Sequence, residues 1–82
     1  MKATVIVTLK PTVLDPQGMT ITRGVQPMGY SEVRDIRQGK YFQVELDAET
    51  SPERRQALVE RLAKEVLTNP VIEEYRIVWD RS

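Results

Sequence analysis

The chain has no cysteine and no histidine among its 82 residues. Without cysteine there is neither a disulfide scaffold nor a thiolate nucleophile. With histidine also missing, metal ligation is confined to carboxylate oxygens. Glycine is scarce at four residues, and none of the four has the spacing of a phosphate-cradling loop. Charge of one sign is lacking too: twelve basic and twelve acidic residues cancel. They are interspersed along the chain, which argues against polyanion binding driven by counterion release, so nucleic acid is not an expected partner. No long apolar run is present. Met1-Lys2-Ala3-Thr4-Val5 leads straight into an alternating pattern, which reads as a strand and not as a signal peptide or membrane span. A cytoplasmic protein with no membrane partner is the expectation.

At 9.4 kDa the chain is read as one domain over residues 1–82, near the lower limit for a single apolar core without staples. Such a domain hides only about 60–65% of its unfolded surface. A homodimer, a higher homo-oligomer, or docking on a larger subunit is therefore expected. Ala3, Val5, Val7 and Leu9 alternate with Thr4, Ile6, Thr8 and Lys10, the period of a strand with one buried face. Asp15-Pro16 marks a helix start, with a carboxylate cap and proline at the first helical position. Thr20, Ile21, Thr22 and Gly24 favour helix poorly, and Pro27 ends it, so this helix is expected to be short. Gly29 suits a left-handed stop, and Val33 with Ile36 is read as a second, bulged strand.

Gly39-Lys40 is expected in a turn. Phe42, Val44 and Leu46 then face one way on a third strand, antiparallel to the second, with Tyr41, Gln43 and Glu45 facing the other. Thr50-Ser51-Pro52-Glu53 opens the clearest helix. Leu58, Val59, Leu62, Ala63, Val66 and Leu67 form its apolar stripe, and Glu60 and Lys64 are spaced for an ion pair. Asn69-Pro70 stops it, and Tyr75, Ile77 and Trp79 alternate on a last strand. The order is β-α-β-β-α-β: an α+β two-layer sandwich, an antiparallel sheet with two helices on one face, in ferredoxin-like order.

No residue pattern here assembles a catalytic site. Lys40 beside a lone Gly39 lacks the partners of a phosphate loop and is read as a solvated lysine. Lys10 ends a strand. Glu73 and Glu74 are adjacent, so on a strand they face opposite sides and do not make an acid and base pair. Asp15 is read as a cap. Tyr41 and Phe42 point to opposite faces and so do not form an RNA-stacking platform. No catalytic, cofactor-binding or metal-binding residue is assigned. The candidates for partner contacts are the aromatic and Arg anchors Tyr41, Tyr75, Arg76 and Trp79, with Lys10 and Lys40 as polar contacts.

Three segments remain: Leu9-Lys10-Pro11 with Asp15-Pro16-Gln17-Gly18, then Gly39-Lys40-Tyr41, then Asn69-Pro70-Val71-Ile72-Glu73 running into a Tyr-containing strand. In this order and spacing the chain resembles PurS, the small subunit of phosphoribosylformylglycinamidine synthase, over nearly its whole length. It departs from that pattern at Thr12, where the family has glycine, and in a first helix poor in alanine and leucine. The resemblance implies a non-catalytic subunit of an ATP-dependent amidoligase of purine synthesis. That enzyme converts formylglycinamide ribonucleotide, glutamine, ATP and water into formylglycinamidine ribonucleotide, glutamate, ADP and phosphate. The implied partners are a PurL-type large subunit, which would hold ATP and magnesium, and a PurQ-type glutaminase. A PurS-type dimer would bridge the two and assist ammonia transfer. The competing reading is a small dimeric metabolite-sensing module; stabilisation by a free amino acid without protein partners would favour it.

Overall fold

The computed structural model describes residues 1–80. Strand β1 (Lys2–Leu9) is followed by helix α1 (Pro16–Val25) and a 3-10 turn (Gln26–Met28). Strand β2 (Gly39–Glu45), helix α2 (Pro52–Leu62), a π-helical segment (Ala63–Leu67) and strand β3 (Glu73–Trp79) complete the chain. The class is α+β, as the sequence predicts. The sheet is antiparallel in the order β2-β1-β3.

The first strand is central because its alternation buries Ala3, Val5 and Val7 completely on one face. Phe42, Val44 and Leu46 from one side and Tyr75, Ile77 and Trp79 from the other pack around them. Helix α2 closes this face with Val59 and Ala63, and Leu67 follows from the π segment. Ser51 caps α2, its Oγ accepting from the Arg54 N–H at 3.2 Å. Among the described residues no fully buried apolar side chain is larger than valine. The core is correspondingly small.

Three expectations from sequence need correction. Val33 and Ile36 do not lie on a strand: the described sheet has three strands, and the 33–38 segment satisfies its backbone through side chains instead. The Ile36 N–H donates to Thr22 Oγ1 at 2.9 Å, and the Gln38 N–H donates to Asp15 Oδ2 at 2.5 Å. Gly39 and Lys40 are ladder residues opposite Thr8 and Val7, not a turn, and β2 pairs with β1 rather than with a preceding strand. Glu60 does not pair with Lys64. Its oxygens accept from Gln56 Nε2 and Tyr75 Oη, and the ion pair on this helix joins Arg61 to Glu65 at 3.2 Å.

Helix α1 contributes no side chain to the core cluster. The Cα extents are 52 × 29 × 13 Å and the radius of gyration is 16.4 Å, against about 12 Å for a compact chain of this length. An eight-residue strand spans about 27 Å. The remaining length is the excursion from Lys10 to Gln38, which stands off one end of the sheet as an arm.

Candidate interaction face

Only one face of the sheet is covered by α2. On the other, side chains from the three strands form rows across the ladder. Ile6 of β1 is opposite Tyr41 of β2 and Arg76 of β3, so an aromatic ring, a branched aliphatic group and a guanidinium lie side by side. The next row sets Thr4 between Gln43 and Val78. Tyr41 is 66% exposed and Val78 is exposed as well. An antiparallel sheet tolerates water on one face, but large aromatic and Arg side chains at its centre are the composition of a protein contact.

The candidates named from sequence therefore separate. Tyr41 and Arg76 come together on the open face. Tyr75 and Trp79 point the other way and pack against the core while keeping part of their surface exposed. The Tyr75 hydroxyl donates to Glu60 Oε2 at 3.1 Å; burial, then the Glu60 carboxylate, push its pKa above the ordinary phenol value. Lys40 also lies on the helix side, with Nζ 3.5 Å from Glu73 Oε2 and 5.8 Å from the Phe42 ring. Lys10 ends β1: its N–H donates to the Ile72 carbonyl at 2.9 Å and its own carbonyl accepts from Arg37 Nη2 at 3.2 Å.

The root of the arm is held by Asp15. Its Oδ1 accepts from the Gly18 N–H at 3.0 Å, capping α1, while Oδ2 takes the Gln38 N–H. The Gln38 N–H first and the Gly18 N–H second hold its carboxyl below the usual carboxylate value. Arg37 adds a second tie, donating to the Val13 carbonyl at 2.7 Å. Asp15, Lys40 and Glu73 meet around a hollow of about 250 Å³ beside Val7 and Leu9. Among the described residues no three His, Cys, Asp or Glu side chains converge as a metal site, and no helix is long and apolar enough to cross a membrane.

Sequence reasoning missed Ile6 and Val78 as parts of the open face. The signal was present as a β-branched apolar residue on the polar side of the first and last strands.

Residues 2–81 match the family model PurS, described as phosphoribosylformylglycinamidine (FGAM) synthase. The chain belongs to the PurS family. Its relative from Bacillus subtilis (strain 168), the phosphoribosylformylglycinamidine synthase subunit PurS, is 44% identical over 92% of this chain and 87% of its own length. A crystal structure of B. subtilis PurS superposes with a TM-score of 0.83 at 38% identity, covering 98% of both chains. A chain in the structure of PurLQS from Thermotoga maritima matches with a TM-score of 0.80 at 32% identity, covering 94% of this chain and 93% of that one. The superpositions cover nearly the whole β-α-β-α-β path of the chain.

Proposed function

We propose that this chain is the small subunit of a phosphoribosylformylglycinamidine synthase and that it couples a PurL-type synthetase to a PurQ-type glutaminase. The observation that carries this reading is the match, over more than nine-tenths of both chains, to a chain of the Thermotoga maritima PurLQS structure. In this reading the chain performs no bond chemistry. It has no cysteine to release ammonia from glutamine, and ATP and magnesium are held by the PurL-type subunit. The chain works in the cytoplasm as a single-domain homodimer that keeps the two larger subunits in register for ammonia transfer.

Its surface supports that role. The chain exposes 6367 Å², about 1,400 Å² more than the roughly 5,000 Å² of a compact monomer of this mass. That excess is on the scale of a specific protein interface. The open sheet face, with Tyr41 and Arg76 flanking Ile6, is its best anchor; Lys10, Lys40, Tyr75 and Trp79 are contacts at its periphery and on the helix side. Tyr41→Ala and Arg76→Ala, measured by equilibrium binding to the PurL-type subunit, should each raise Kd about tenfold or more. Unchanged affinity in both variants would remove the open face as the docking surface.

A further inference from the structure

β3 is an edge strand. The bonds that close its ladder run from the Lys10 N–H to the Ile72 carbonyl and from the Asp80 N–H to the Lys2 carbonyl. With this register the even-numbered residues of β3 bond to β1. The N–H and carbonyl of Tyr75 therefore face away from the sheet, and no backbone group of the described residues pairs with them. Tyr75 borders a hollow of about 380 Å³, lined also by Lys64, Thr68, Pro70, Glu73 and Glu74, a size within the range of small-molecule sites. The hollow wraps the strand edge: Lys64 and Thr68 come from the helix layer, whereas Glu74, by strand alternation, comes from the open face. Three polar side chains here are unpaired. Lys64 and Glu74 carry opposite charges and line one hollow, yet among the described residues neither enters an ion pair. Thr68 is 8% exposed and its Oγ1 has no hydrogen-bond partner. A buried hydroxyl in that condition is unfavourable, and among the described residues the one side chain that shows it borders this hollow.

We infer that this hollow binds the zwitterion of a free α-amino acid. Its carboxylate is taken by Lys64 Nζ, the Tyr75 N–H and the Thr68 hydroxyl, which reaches the hollow by turning between staggered positions about its Cα–Cβ bond. Its ammonium is taken by the Glu74 carboxylate and the Tyr75 carbonyl. Tyr75 thus supplies one donor and one acceptor side by side, as it would to the residue opposite it on a neighbouring strand. A simple anion would be opposed by Glu74 and a simple cation by Lys64, so a ligand carrying both charges is the one that satisfies both walls. The hollow lies open at the sheet edge, and binding on the order of millimolar is expected. The site belongs to this chain alone and does not depend on its bridging role. The reaction proposed above consumes glutamine and yields glutamate, which makes these two the natural probes.

The test is a titration of the full chain, isotopically labelled, with glutamine and separately with glutamate, followed by the backbone amide signals in NMR. Saturable shifts should centre on Thr68, Glu74 and Tyr75. Saturation by either probe there supports the inference, and the difference between the two reads the side chain preferred. Glutaramate, which lacks the α-amino group, and glutamine methyl ester, which lacks the free carboxylate, should each bind about fivefold or more weakly. Lys64→Gln and Glu74→Gln alter exposed side chains, so circular dichroism should match wild type while Kd for the amino acid rises by a similar factor, about fivefold or more. Thr68→Val should melt above wild type without amino acid and gain less from its addition. The inference is overturned if no probe gives saturable shifts in the millimolar range or if the shifts centre elsewhere. Glutaramate binding as tightly as glutamine overturns it too, as does wild-type affinity in both the Lys64→Gln and Glu74→Gln variants.

Discussion

Asp15 is 5% exposed and ties the start of α1 to the approach to β2, accepting from the Gly18 and Gln38 N–H groups. Because its carboxyl is held low in the folded state, its contribution is fully present above the ordinary value of 3.8 and is lost as pH falls through the lower folded value. Asp15→Asn should therefore melt below wild type at neutral pH, with the two curves converging at the acid end. Glycines divide just as sharply. A methyl group at Gly18 would collide with the Ile36 carbonyl oxygen, whereas Gly24 has open space around it. Gly24→Ala should gain about 0.5–1 kcal/mol in thermal or urea unfolding, and Gly18→Ala should lose stability despite alanine's better helix propensity. Asp15 as a cap was legible because Asp-Pro is a local signal. Its second bond, to Gln38, was not, since nothing in a linear pattern marks a contact 23 residues away.

At the scale of elements, alternation placed β1 and β3 and the inward residues of β2 correctly because each has one dry face. The same reasoning failed between Gly29 and Lys40. There the backbone is satisfied by Thr22 and Asp15 side chains rather than by a ladder, and Val33 and Ile36 look like strand residues while the Val33 carbonyl accepts from Gln26 Nε2 and the Ile36 N–H donates to Thr22 Oγ1. The second helix was legible up to Leu62. Beyond it, the apolar positions Ala63, Val66 and Leu67 fit an α or a π register equally well, and only packing against the sheet selects the latter. The segment ends on Thr68, which is 8% exposed and whose Oγ1 has no hydrogen-bond partner. A buried hydroxyl without a partner costs about 1–3 kcal/mol, so Thr68→Val should leave the fold unchanged and raise the unfolding midpoint. A lowered midpoint would show that the hydroxyl is satisfied in solution.

As a whole molecule, the chain is a thin sheet with one helix layer and an arm. Its small core and large exposed surface suit a protein whose stability and purpose both lie in assemblies. The interface candidates read from sequence are aromatic and Arg anchors, and the sequence could not say that β1 would be central. That placement is what aligns Tyr41, Ile6 and Arg76 on one face and sends Tyr75 and Trp79 to the other. The most direct measurement is turnover of formylglycinamide ribonucleotide by the PurL-type and PurQ-type subunits, with and without this chain, supplied either with glutamine or with free ammonia. The coupling account predicts that glutamine-driven turnover requires the chain while ammonia-driven turnover largely does not. Equal glutamine-driven rates with and without it would contradict that account.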